Sequence, residues 1–135
     1  MSRALDDLSP RMLPLACELL ARCTEQGIQV AIVDTLRTPE EHAANLKKGA
    51  SRTKHSKHLD GEAMDICPYE TWQAHGADKL NWDTSDPTVW FALGAIGERL
   101  GLRWGGRFRP LDKNGLGWDA GHFEYVETPT GPRVA

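Results

Sequence analysis

The chain has 135 residues, 40% of them hydrophobic and 26% charged, with a net charge of −3, the size and balance of one soluble domain with a core of its own. That weak acidity leaves no electrostatic footprint for nucleic acid or a membrane surface, and no apolar run approaches the roughly 20 residues that span a bilayer. Three cysteines without a CxxC pair argue against a disulfide framework and a thiolate zinc cluster, so any metal here must be held by nitrogen and oxygen.

The N-terminal "MSRALDDLSP" places Asp6 and Asp7 where a secretory signal needs apolar residues, so synthesis and retention in the cytoplasm are expected. A first helix follows. Ser9 caps it, Pro10 suits its first turn, Pro14 is near enough to the start to be tolerated, and Met12, Leu13, Leu15, Ala16, Leu19, Leu20 and Cys23 form its core-facing side. Cys17 and Cys23 lie in this apolar pattern and read as core residues. Gly27 stops the helix, and "IQVAIVDTL" reads as a strand from Ile28.

Thr38-Pro39-Glu40-Glu41 is a capping box with proline at the first helical position, which predicts a short helix to Lys48. Residues 49–61 are polar and read as loop. "EAMDIC" alternates, which predicts a second strand with Ala63, Asp65 and Cys67 on one face. Residues 69–85, with Trp72 and Trp82, read as irregular with a helical turn. Asp86-Pro87 opens a third helix, with Val89, Trp90, Leu93, Ile96, Gly97 and Leu100 inward and Gly101 at its end. "LRW" is a short strand, "GGRFRPLDKNGLG" a long loop and "HFEYVE" a final strand. This order predicts an α+β fold, a small, mostly antiparallel sheet with helices packed against it, as one domain over residues 1–135.

The segment "TKHSKHLDGEAMDICP" concentrates histidines and carboxylates around one glycine. Catalytic zinc needs about three protein ligands and an open position for water. His58 precedes the second strand, Asp65 lies within it, and Gly61 between them permits a tight bend. In "WDAGHFEY", His122 begins the last strand and Asp119 lies three residues earlier. Two imidazoles, one carboxylate and a spare carboxylate make a sensible inventory for zinc-assisted hydrolysis. Each residue also has a plainer reading. His55 rivals His58 in the same loop, a structural salt bridge is the main alternative for Asp65, and His122 and Asp119 are compatible with an ordinary turn and strand. Cys67 shares the face of Asp65, but a thiolate there would close the coordination shell, so packing is its expected use.

"SKHLDGEAMD" (Ser56 to Asp65) matches the pattern SxHxxGxAxD, and "DAGHFE" resembles a downstream [DE]xxH element. Together they resemble the zinc peptidases that group D-alanyl-D-alanine peptidases with phage L-alanyl-D-glutamate endolysins. "DTLRTPEEH" and "LGLRWGG" are similar to further family segments, so the resemblance runs from the first helix to Tyr125. It implies that His58, Asp65 and His122 bind Zn2+, that Asp119 is the catalytic acid/base and that Arg37 steadies the oxyanion. Aspartate at position 119 resembles the phage L-alanyl-D-glutamate enzymes more than the dipeptidases. The implied protein is a phage-type endolysin that cuts peptidoglycan peptide stems as a monomer. It has no separate wall-binding module and binds neither nucleic acid nor membrane. Released from the host cytoplasm, it would reach the periplasmic wall of a Gram-negative host. The alternatives are a D-alanyl-D-alanine carboxypeptidase or dipeptidase, and a non-catalytic zinc-stabilised relative like the hedgehog signalling domain. Gly121 departs from the proline that phage relatives often carry, and residues 107–116 match no family segment.

Further expectations concern the surroundings. Ser56 is expected to donate a hydrogen bond near the ligands or to be a plain loop serine, and the alternative for Arg37 is a helix-flanking surface arginine. Asp60, Glu62 and Glu124 are candidates to orient the ligand histidines. His42 and His75 read as surface residues, and the tryptophans as anchors, with Trp104 and Trp118 flanking the site. Lys47, Lys48, Arg52, Lys54 and Lys57 read as a solvated run, or as attraction to an anionic envelope.

Overall fold

In the first helix, α1 (Leu13–Glu25), Leu15, Ala16, Leu19 and Cys23 are buried, with Met12 beside them. Its regular turns begin at Leu13 with Met12 in the capping position, which corrects the expected cap at Ser9, because residues 10–12 form a preceding turn that Ser9 closes. The Ser9 hydroxyl accepts from the Met12 N–H at 3.2 Å and its carbonyl accepts from the Leu13 N–H at 2.9 Å. Cys17 corrects the expectation of a core residue, because it is exposed. One residue beyond buried Ala16 turns the helix by about 100°, and that rotation carries its side chain outward. The computed structural model describes residues 2–49, 56–69 and 79–127.

Strand β1 (Val30–Asp34) starts two residues later than expected, since the Ile28 N–H is spent on the Cys23 carbonyl at the end of α1 (2.9 Å). Helix α2 (Pro39–Lys48) has the full capping box, Thr38 accepting from Glu41 and Glu41 reaching back to Thr38. Strand β2 (Ala63–Pro68), helix α3 (Thr88–Arg99) and the short strands β3 (Arg103–Trp104) and β4 (His122–Glu124) complete the elements. The expected strand "HFEYVE" is regular over three residues only, after which the Tyr125 N–H closes on the Glu62 carbonyl.

The sheet order is β1-β2-β4-β3, antiparallel at every pairing. One face is apolar: Met64 and Ile66 of β2, Phe123 of β4 and Trp104 of β3 join Leu19, Leu93 and Leu100 in a core under α1 and α3. Burying each such side chain contributes about 1.5–3 kcal/mol, so this face secures the domain. The opposite face is polar, and its order depends on an irregularity in β1. Ile32 pairs with Ile66, but Asp34 pairs with Asp65, leaving Val33 as an extra residue. This bulge shifts Asp34 into line with Asp65 and with His122, the β4 partner of Asp65. Three polar residues thus form one row across three strands.

Candidate metal centre

Asp65 occupies the centre of that row because β2 lies between β1 and β4. His58 reaches it from a single 3-10 turn, Lys57–Asp60, instead of the featureless loop expected there. Ser56 starts this turn. Its hydroxyl accepts from the His58 N–H at 3.2 Å, so it acts as a cap. Gly61 ends the turn with a left-handed φ of 69°, the bend foreseen for it.

His58 Nε2 and His122 Nδ1 lie 2.9 and 3.0 Å from the same Asp65 oxygen, Oδ1. The ligand atoms of these three residues lie within 4.8 Å of one another. Each ring is held from behind. His58 Nδ1–H donates to the Thr35 carbonyl at 2.7 Å, and His122 Nε2–H donates to Glu124 Oε1 at 2.8 Å. Those bonds fix each tautomer and turn the lone pairs of His58 Nε2 and His122 Nδ1 toward Asp65. Three electron-pair donors converging in a buried site require a cation between them, either protons or a metal ion. The nitrogen and oxygen donor set suits a divalent transition metal.

The electrostatics carry the same demand. Burial opposes charge on His122, but its hydrogen bonds to Asp65 and Glu124 push the imidazole up to about 10 when protons fill the role. Burial likewise opposes ionisation of Asp65, yet His58 and His122 hold its carboxyl well below the usual range. Asp119 behaves differently. Burial and the charge of Asp65 push its carboxyl up to about 6, with Oδ2 3.7 Å from His122 Nδ1.

Asp119 is aimed by its backbone. Its N–H donates to the Gly105 carbonyl at 3.3 Å, and its carbonyl accepts from the His122 N–H at 3.0 Å. A Cβ at position 105 would overlap the Asp119 carbonyl, so this approach needs glycine. Gly121 has a similar cause. A Cβ there would overlap the Ile66 carbonyl, and the Gly121 carbonyl accepts from the Ile66 N–H at 2.9 Å. The departure at this position therefore tightens the junction of β2 with the turn.

Arg37 enters from the β1 side. Its Nε and Nη2 donate to Asp34 Oδ2 at 3.1 and 2.8 Å, and Nη2 lies 3.9 Å from Asp65 Oδ2. It is buried, which removes the surface-arginine alternative. Burial raises the Asp34 carboxyl and outweighs the opposing pull of Arg37. Asp34 Oδ1 is the buried oxygen with no hydrogen-bond partner among the described residues. His42 corrects the expectation of a surface residue. It is 4% exposed, with Nδ1 3.4 Å from Arg37 Nη1, because one turn of α2 beyond the cap brings it back over the site.

Of the three acids considered as ligand supports, Glu124 is the one seen against a candidate ligand ring, that of His122. Glu62 instead binds Arg11 and Ser9, and Asp60 is exposed. Trp104 is core, with its indole N–H donating to the Ala120 carbonyl at 2.7 Å, so it braces the site segment without lining it. Cys67 is buried, its thiol donating to the Asn81 carbonyl at 3.4 Å, which fits packing. His55, His75, Trp72, Arg52 and Lys54 lie outside the described residues, while Lys47 and Lys48 are exposed.

The loop that matched no family segment has a place here. Phe108 packs beside the His122 ring at 5.6 Å between centroids. Pro110, Leu111, Asp112 and Leu116 line a cleft of about 440 Å³ that also includes Asp65, Asp119, Trp118 and Trp82. A pocket holding perturbed carboxyls beside a ligand cluster is where chemistry is expected.

A family model described as phage L-alanyl-D-glutamate peptidase matches residues 2–126. The L-alanyl-D-glutamate peptidase of a Listeria phage is 36% identical over 95 residues, a stretch covering 67% of this chain and 30% of that protein. This chain therefore spans less than a third of that curated relative. The Serratia marcescens L-Ala D-Glu endopeptidase ChiX shares the fold, with a TM-score of 0.63 and 20% identity over 90% of this chain and 83% of its own. The vancomycin-resistance D,D-pentapeptidase VanY, solved in complex with Zn(II), has a TM-score of 0.55 and 20% identity, covering 88% of this chain and 72% of its own. With its sequence matched along nearly the whole described length, the chain belongs to the phage L-alanyl-D-glutamate peptidase family.

Proposed function

We propose that this protein is a zinc-dependent peptidase that hydrolyses the L-alanyl-D-glutamate bond of peptidoglycan stems, as a monomeric phage-type endolysin. The observation that carries the reading is the convergence of His58 Nε2, Asp65 and His122 Nδ1 with Asp119 Oδ2 3.7 Å from one of them, at the end of an open cleft. The three ligands suit zinc, which when bound supplies a Lewis acid able to acidify water toward a pKa of about 7. Asp119 takes the proton of the attacking water on its carboxylate and hands it to the leaving amine. Arg37, held by Asp34, faces the charge that grows on the scissile carbonyl oxygen. Thr35 and Glu124 keep both rings in the ligating tautomer.

Glu124→Ala removes the acceptor behind His122 without touching a ligand. Zinc affinity, measured by competition with a chelating dye, is expected to fall about 10–100-fold. An unchanged affinity would remove Glu124 from the site.

Mass spectrometry of muropeptides digested by the zinc-loaded protein tests the reaction. Stems that gain a free amino group on D-glutamate, and lose that product with a chelator, are expected. Release of terminal D-alanine would identify the carboxypeptidase alternative. No product, together with no clearing of outer-membrane-permeabilised cells, would identify a binding protein. The endolysin role further implies action on the wall after release from the cytoplasm. No helix among the described residues is long and apolar enough to cross a membrane.

A further inference from the structure

The cleft extends well past the reacting centre, from Asp65 and Asp119 to Trp82, Pro110 and Leu111. Trp82 is 51% exposed and Leu111 42% exposed, although both are large apolar residues. Trp82 is also held flat. Its ring stacks on Trp90 at 6.2 Å between centroids and 19° between planes. Trp90 is buried and anchored through its indole N–H to the Asp83 carbonyl at 3.0 Å. An exposed indole braced from behind marks a contact surface.

The chemistry of the stem decides what this arm receives. Asp65 and Asp119 belong to the reacting centre, which leaves Asp112 as the charged side chain among the arm's described lining residues. Arg37, 3.9 Å from Asp65, is not among the described lining residues of the cleft. A peptidoglycan stem is itself asymmetric about the L-alanyl-D-glutamate bond. Beyond the bond, D-glutamate carries a free carboxylate and the diamino acid that follows it a free ammonium group, so that half is charged and costly to desolvate against the apolar Trp82, Pro110 and Leu111. Before it stand one alanine and the lactyl ether of an N-acetylated sugar, whose acid is already an amide, so this half is neutral. Its C–H face suits an indole, and its hydroxyls suit carboxylate acceptors. Asp112 is fixed at the rim, Oδ1 accepting from the N–H groups of Asn114 and Leu116 at 2.8 and 3.0 Å.

We propose, on the strength of the peptidase reading above, that the Trp82–Leu111 arm is a subsite for the N-acetylmuramyl sugar bearing the stem. The enzyme then selects glycan-attached stems over free peptides. A cleft of about 440 Å³ lies in the range that accommodates such a group, about 300–1,000 Å³.

The test compares kcat/KM on two soluble substrates with the same peptide, one blocked at L-alanine by N-acetylmuramic acid and one by a plain acetyl group. The wild-type protein is expected to favour the muramyl substrate by about tenfold, the scale of one well-packed aromatic contact. Trp82→Ala should bring that ratio close to one, and Trp82→Tyr should restore most of it. A wild-type ratio of one, or a ratio unchanged in Trp82→Ala, overturns the proposal. Equal losses on both substrates overturn it too, since the arm would then hold peptide. If the wild-type protein cuts neither substrate, the peptidase reading itself has failed.

Discussion

Asp119→Ala is expected to abolish turnover while leaving the metal bound, whereas His122→Ala loses both. The two residues are three apart in one turn, with side chains 3.7 Å from each other, so a general disruption of the turn would affect them alike. Their separate roles predict a split. In the proposed site His122 supplies a ligand atom, Nδ1, within 4.8 Å of the other two. Removing it leaves two ligands, too few for a catalytic zinc site. Asp119 lies outside the ligand set and lines the cleft. Losing a general acid/base costs typically 10²–10⁴-fold in rate, and kcat on muropeptides should fall by that order. Zinc content by elemental analysis should stay near one per chain in Asp119→Ala. Near-normal hydrolysis by that variant would refute its assigned role, and retained stoichiometric zinc in His122→Ala would refute the ligand set.

Asp34→Ala should be the most destabilising single change at the site. Asp34 and Arg37 are both buried and paired at 2.8 Å. Truncating Asp34 leaves a buried guanidinium with only the longer 3.9 Å approach to Asp65, at a cost of about 3–5 kcal/mol. For a chain of this size the fall in Tm is on the order of 10–20 °C. The double variant Asp34→Ala/Arg37→Met removes both charges and should recover most of the stability in urea titrations. Its hydrolysis should stay low, because the cation proposed to face the scissile carbonyl is gone. Full activity in that stable double variant would show that the pair serves folding alone. No loss of stability in Asp34→Ala would show that water or His42 can replace the carboxylate.

Much of this architecture is legible without coordinates because its signals are local. The capping box at Thr38, the alternation of "EAMDIC" and the apolar repeat of α1 each depend on residues within a few positions. The candidate ligands are legible for another reason: the motif from Ser56 to Asp65, which holds His58 and Asp65, and the segment "DAGHFE", which holds His122, resemble those of a known family. Even Glu124 carried a usable signal, since residues two apart on a strand share a face and His122 lies two before it. That rule separates it from Asp60 and Glu62, which could have been set aside.

Other features depended on register and long-range packing. Val33 is one apolar residue in an apolar run, and nothing local marks it as the bulge that aligns Asp34 with Asp65. His42 reads as polar surface until α2 is laid against Arg37, and Cys17 reads as core until its helix is rotated onto the sheet. Trp82 and Leu111 belong to separate loops that meet at one cleft. Composition and periodicity determined the three helices and the small sheet among the described residues, and the motifs pointed to the candidate donors. Strand pairing, a bulge and loop closure decided which atoms meet, because those contacts join residues tens of positions apart and their energies exist only once the chain has folded.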